Sequence, residues 1–335
     1  MIFGLRLLGG YIGDTTRLVN LGALAEKMGF EFCWFAHDPF MRNSWVTATA
    51  LSSLTRRIRL GLNFKPYTID PSEVITLAAT LDEYSRGRCV IGLGTHSDRM
   101  FDWIGLGSKK ITPILREYVL LIRRALSGES CEFKGSQFNW TSECYLRFKP
   151  YRSKVPIYIS AFGKELLELS GEIGDGSLPM LTPPESVDYV LKHIHAGIAK
   201  ARRRIEDVDV VGLIWTSISK DGRVAGDVLK SVIAHFGPYL EEEALNYVGL
   251  SAADFTPIKA KLSKGDLEGA KRLVSDNMFK LAIVGKPDEC LEKICWLEKK
   301  GITHISIGGP LGPEPEEAVK LIGQRIIPYF KEQKR

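Results

Sequence analysis

Residues 208–219 read VDVVGLIWTSIS, a run of β-branched and apolar positions with little alternation between polar and apolar side chains. A strand with one face in water alternates; a strand covered on both faces does not, and such strands belong to parallel sheets lined by helices. Working outward, similar short runs occur at 2–8, 32–35, 58–63, 89–93, 157–160, 177–181 and 304–307, which with 208–217 makes eight candidate strands. Between them lie segments with helical spacing at 15–28, 44–55, 72–85, 112–126, 164–173, 185–203, 226–235, 287–300 and 314–331. Strands alternating with helices imply a parallel sheet with right-handed crossovers. Eight such units without a Pro/Gly-rich linker predict an α/β fold, a closed (β/α)₈ TIM barrel occupying 1–335 as one domain.

Two stretches break the repeat. Residues 131–150 (CEFKGSQFNWTSECYLRFKP) predict a hairpin between the fourth helix and the fifth strand. Residues 237–285 predict a helical insert between the last two strands. Long inserts in barrels serve as lids or oligomer contacts, so this one is expected to cover the mouth or a partner subunit.

Composition excludes several classes of function. Of 335 residues, 44% are hydrophobic and 25% charged, which is incompatible with wholesale disorder. No apolar run reaches membrane-spanning length, and the N-terminus has no signal-peptide pattern. The net charge of +5 is mild and dispersed, which argues against nucleic acid and suits a small anionic ligand. Six cysteines contain no C-x-x-C pair, so they read as reduced thiols of a cytoplasmic protein, and no metal site is expected.

A barrel places its ligand at the carboxyl ends of its strands. The polar loops there hold His37 and Asp38 after strand two, Lys65 after strand three, and His96 and Asp98 after strand four. Strand five ends in SAFGKE, containing Lys164, and strand eight in GGPLGP, containing Gly309. Small residues there allow backbone N–H groups to approach a phosphate, although a plain turn explains each loop equally. His37–Asp38 is either an acid/base pair or a loop turn. GDGS, with Gly176 and Ser177, precedes its strand and so lies at the structural end of the barrel.

Six segments, in chain order, carry a family resemblance: LGALAEKMGFEFCWFAHD, LGLNFKPYTIDP, TLDEYSRGRCVIGLGT, VPIYISAFGKELLELSGEIGDG, VGKPDECLEKI and KKGITHISIGGPLGP. Together they resemble the luciferase-like superfamily of barrel oxidoreductases, and within it the coenzyme F420-dependent 5,10-methylenetetrahydromethanopterin reductases. The resemblance implies a deazaflavin at the barrel mouth, with its phosphate and oligoglutamate tail running toward the loops of strands five, six and eight. It places cofactor contacts at His37, Asp38, Asn63, Phe64, Lys65, Thr95, His96, Ala161, Phe162, Gly163, Gly176 and Ser177. It implies a non-proline cis peptide and a bulge near Asn63–Phe64. Proton-donor candidates are Asp38, His37, His96 and Asp98. The implied partner is a C1-pterin or another hydride acceptor, in a homo-oligomer, dimer or tetramer.

Three positions depart from the family pattern. Arg6 stands where the reductases carry a strand-one glutamate. The usual Asp-His order is reversed at His37–Asp38. The Gly-Asp expected after strand four reads His96–Ser97, with Asp98 one place later. These departures keep two other readings open: an FMN-dependent monooxygenase on the same barrel, and a flavin- or pterin-binding barrel without turnover.

Overall fold

The computed structural model describes residues 1–9, 12–66, 68–94, 104–105 and 111–332. Eight parallel strands close on themselves: β1 (Ile2–Leu7), β2 (Phe32–Ala36), β3 (Arg59–Phe64), β4 (Cys89–Gly94), β7 (Ile157–Ala161), β8 (Gly176–Pro179), β9 (Asp209–Ile218) and β11 (His304–Leu311), with β11 paired back to β1. A short strand β10 (Ile283–Gly285) pairs with the end of β9 outside the ring. The expected barrel is therefore present, and helices surround it.

The two inserts lie where the repeat breaks. Strands β5 (Phe133–Lys134) and β6 (Asn139–Trp140) form an antiparallel hairpin. The longer insert breaks into short helices that pack their own apolar cluster, with Leu245, Leu250, Phe255, Ile258 and Met278 buried against Leu229 and Ile233 of the helix Gly222–Phe236 and Trp215 of β9. That helix starts four residues before the boundary expected from spacing. Asp221 caps it, its carboxylate accepting from the Arg223 N–H at 3.0 Å, so Gly222 and Arg223 already lie in the first turn.

Outward-facing strand positions such as Leu5, Leu62, Ile91, Ile159, Ile214 and Ile307 join the helices in the main core. Inward positions form a second cluster, in which Phe32, Trp34, Val90, Tyr158, Leu178, Val211 and Leu213 fill the barrel. Gly61 makes room for the indole: a β-carbon there would sit 2.1 Å from Trp34 Cε3. At the amino end, Asp209 Oδ2 accepts from the Tyr158 hydroxyl at 2.9 Å and lies 2.8 Å from His304 Nδ1. The amino-terminal half of the cylinder is thus plugged by side chains. A ligand must enter from the carboxyl end, as the barrel architecture requires.

One expectation fails. Residues 59–63 of β3 pair with 32–36 of β2, and residues 60–64 with 89–93 of β4, without a break in register. No bulge exists there, and the Asn63–Phe64 peptide is not cis; among the described residues the cis bonds are Thr182–Pro183 and Gly309–Pro310. An unbroken ladder on both edges leaves no extra residue for a bulge to absorb. The register break that does occur lies in β11, between Gly308 and Pro310.

Candidate active site

The carboxyl ends of β2 and β3 are fastened together by backbone and side chains. The His37 N–H donates to the Asn63 carbonyl at 3.0 Å. The His37 Nδ1 and Ser44 Oγ lie 2.9 Å apart, and the imidazole rests against Phe64, which itself stacks on Trp45 at 4.7 Å between ring centres. Burial, followed by the charge of Lys65, holds the His37 imidazole below its ordinary value, so the ring is neutral at pH 7.

Beside it, Asp38 and Lys65 form an ion pair between the loops that follow β2 and β3. Both side chains are largely buried, 17% and 12% exposed, so the pair is shielded from bulk water rather than lying on the surface. The resemblance placed both residues at the cofactor; the structure brings them into contact with each other. Asn63 points inward, where its Oδ1 accepts from the Ser160 hydroxyl at 2.8 Å. Ser160 and Ser44 had no sequence signal. Their parts depend on neighbours far along the chain.

Arg6, on the inner wall of β1, is 8% exposed and makes no ion pair or hydrogen bond with any described residue; its Nε is buried without a partner. Burial lowers the guanidinium to about 10, which leaves it charged at neutral pH. An uncompensated buried charge costs several kcal/mol, so this residue needs an explanation.

At the end of β7, Ala161, Phe162 and Gly163 line a small open cleft that also touches Met180, Glu241 and Tyr247. The helix Gly163–Ile173 starts here without a side-chain cap at Phe162, and Gly163 has a left-handed φ of +72°. Only Glu241 Oε1 lies within 4 Å of where a Gly163 β-carbon would project. The first-turn N–H groups thus have no side-chain cap. The opposing wall is acidic: burial, then Glu243, pushes the Glu241 carboxyl above its ordinary value. The helical insert supplies this wall, which makes it a cover over part of the mouth.

Lys164 is 67% exposed, with Nζ 4.0 Å from Glu168. Gly309, with φ +33°, lies in the broken end of β11 beside Leu8. Gly176 and Ser177 do not join the mouth. They open β8 at the plugged end, where a β-carbon on Gly176 would strike the Tyr158 ring and Ser177 Oγ bonds Ser170 Oγ at 2.7 Å. Their assignment as cofactor contacts is corrected to a packing role, because βα loops and strand beginnings lie at opposite ends of a barrel. Thr95, His96 and Asp98 lie outside the described residues. Among the described residues no cluster of His, Cys, Asp and Glu could hold a metal ion, and no helix is long and apolar enough to cross a membrane.

The buried His37 supports a pH prediction. Its folded-state value lies below the unfolded one, so the unfolded chain takes up more protons as pH falls. Stability contributed by the neutral ring is intact above about pH 6.5 and is lost as pH drops below it. His37→Asn is expected to flatten the fall in Tm between pH 7.5 and 5.5, checked by calorimetry; an unchanged slope would contradict it.

A barrel whose floor is packed and whose mouth carries a neutral imidazole, an ion pair and an uncapped helix defines a class, and the family profile described as luciferase-like monooxygenase matches residues 4–304. The chain belongs to the luciferase-like family. It is 33% identical over 314 residues to the 5,10-methylenetetrahydromethanopterin reductase of Archaeoglobus fulgidus, covering 92% of this chain and 94% of the relative. It is 31% identical to the enzyme of the same name from Methanopyrus kandleri, covering 98% and 99%. The solved coenzyme F420-dependent tetrahydromethanopterin reductase from Methanopyrus kandleri superposes with a TM-score of 0.93 at 29% identity, over 98% of this chain and 99% of that one.

Proposed function

We propose that this chain is an F420-dependent oxidoreductase that transfers a hydride between reduced deazaflavin and a C1-pterin such as 5,10-methylenetetrahydromethanopterin, or a related acceptor. The observation that carries this reading is the barrel mouth itself. Its polar groups lie at the carboxyl rim above a packed floor, in a chain similar end to end to reductases of that name.

The residues present fit the cofactor. The uncapped helix start at Gly163 would hold a phosphate, whose charge Glu241 and Glu243 across the cleft oppose. Asn63 and His37 would line the ring; Phe64, expected there from the resemblance, faces outward into the main core and backs His37 instead. When bound, reduced F420 supplies a hydride in one two-electron step. The chain's own residues must orient the acceptor, exclude water and manage a proton. Phe64 and Trp45, both buried, keep water from one side of the site. Neutral His37 accepts or donates one hydrogen bond and carries no spare proton at pH 7. The proton is held at Lys65 Nζ, with Asp38 fixing its position, so this pair is the acid/base element of the site.

Anaerobic mixing of the protein, reduced F420 and methylene-tetrahydromethanopterin is expected to oxidise the deazaflavin with matched formation of the methyl product. No oxidation of F420, together with oxygen uptake on reduced FMN, would contradict the assignment and favour a monooxygenase. Lys164→Ala is expected to weaken F420 binding about two- to fivefold at low salt and less at high salt, since an exposed cation interacts weakly and is screened. Equal affinity at low ionic strength would exclude Lys164 from the site.

The full chain 1–335 is read as one barrel domain working in the cytoplasm as a homo-oligomer. Helix Ser44–Leu54 supports the oligomer, because it is apolar on several faces and leaves Val46 and Leu54 exposed, as is Phe40 in the loop before it. Light scattering tests this directly: a monomer at working concentration would remove it.

A further inference from the structure

The guanidinium of Arg6, without an ion pair or hydrogen bond among the described residues, has no role in the steps above. Arg6 is the fifth residue of β1, level with Gly308 on β11 and Trp34 on β2, and its side chain turns into the barrel. Gly308 leaves the space it occupies: a β-carbon there would stand 3.0 Å from Arg6 Nε. Three further polar atoms on the same sector of wall are buried and unpartnered, namely Trp34 Nε1, Ser306 Oγ and His304 Nε2. Arg6 and Trp34 can only donate hydrogen bonds, and Ser306 can donate one. Among the described residues, the carboxylates of Asp38 and Asp209 are engaged elsewhere. Asp38 holds Lys65, and Asp209 holds His304 and Tyr158. Above the packed floor that holds Trp34 and His304, Arg6 thus keeps its Nε donor unmet.

Resting on the hydride-transfer reading above, we infer that the acceptor taken by this site bears an oxyanion, a carboxylate or a phosphate, and that Arg6 binds it from inside the barrel. A guanidinium matches the two oxygens of either group with parallel N–H donors and keeps its charge at any working pH. It cannot serve as a proton donor, so it determines specificity and leaves the proton to Lys65. Ser306, two residues before Gly308 and facing the same interior, lies one step deeper along the wall.

Calorimetric titration of the full chain with acetate and with inorganic phosphate, at constant ionic strength set by chloride, tests this in wild type, Arg6→Lys and Arg6→Met. One of the two anions is expected to bind wild type once per chain, and at least about tenfold more weakly to Arg6→Met, with Arg6→Lys intermediate. The two arms separate a carboxylate-bearing acceptor from a phosphate-bearing one. Arg6→Met is also expected to melt at or above the wild-type temperature, since it removes an uncompensated charge. No binding to wild type up to about 10 mM, or equal binding to all three proteins, would overturn the inference. F420 titrated into the same samples keeps the two readings apart. Anion binding without F420 binding would defeat the cofactor assignment, whereas F420 binding without anion binding would defeat only the role of Arg6.

Discussion

Asp38→Asn is expected to lower kcat/KM for hydride transfer by about 100- to 10,000-fold, the range that a positioned acid/base group contributes. The Asp38 carboxylate contacts the Lys65 ammonium in a pocket where both side chains are mostly hidden from solvent. An amide keeps the shape and removes the charge, so nearly buried Lys65 would lose its ion pair with Asp38. Its ammonium would then lose the contact that positions it and part of its electrostatic support. A variant with unchanged kcat/KM would move the acid to another loop, with the stretch 95–98 as the next place to look.

Asp82→Ala is expected to cost about 1–3 kcal/mol of folding stability, read by urea unfolding, because it leaves the partly buried Arg152 guanidinium and the Cys89 N–H without their acceptor. Asp82 is 1% exposed and lies near the end of the helix Pro71–Ser85. Arg152 grips it through Nε at 2.9 Å and a terminal nitrogen at 2.5 Å, and also donates to the Cys89 carbonyl at 2.8 Å. The Cys89 N–H donates to Asp82 Oδ1 at 3.2 Å. One carboxylate therefore ties the third helix, the start of β4 and the segment leading into β7. Asp82→Ala combined with Arg152→Met should recover part of the loss, since no charge remains buried alone. A loss under about 1 kcal/mol for the single variant would show that the pair is solvated despite its burial.

The barrel was legible because its strands are covered on both faces. Residues 208–219 show no alternation for that reason, and strands β1 to β4 start and stop within a residue or two of their sequence boundaries. Local chemistry was less legible. The start of the helix at Gly222 was obscured by glycines at 222 and 226, while its cap, Asp221, was overlooked. The types of the mouth residues were readable, but their pairing was not. Asp38 and Lys65 come from successive loops, and only closure of the β2–β3 ladder brings them together. His37 resembled an acid in sequence; burial against Phe64 and the charge of Lys65 make it a neutral ring. At Gly176 and Ser177 the order of loop and strand gave the correct placement, and the resemblance did not.

The most direct test of the central claim, a slot for a planar, phosphate-tailed redox ring at the carboxyl rim, is an equilibrium titration of the purified chain with F420 and with FMN, followed by fluorescence under anaerobic conditions. F420 should bind once per chain at about micromolar Kd or tighter, and at least about tenfold more tightly than FMN. Preference for FMN, or no saturable binding of either ring, would contradict it.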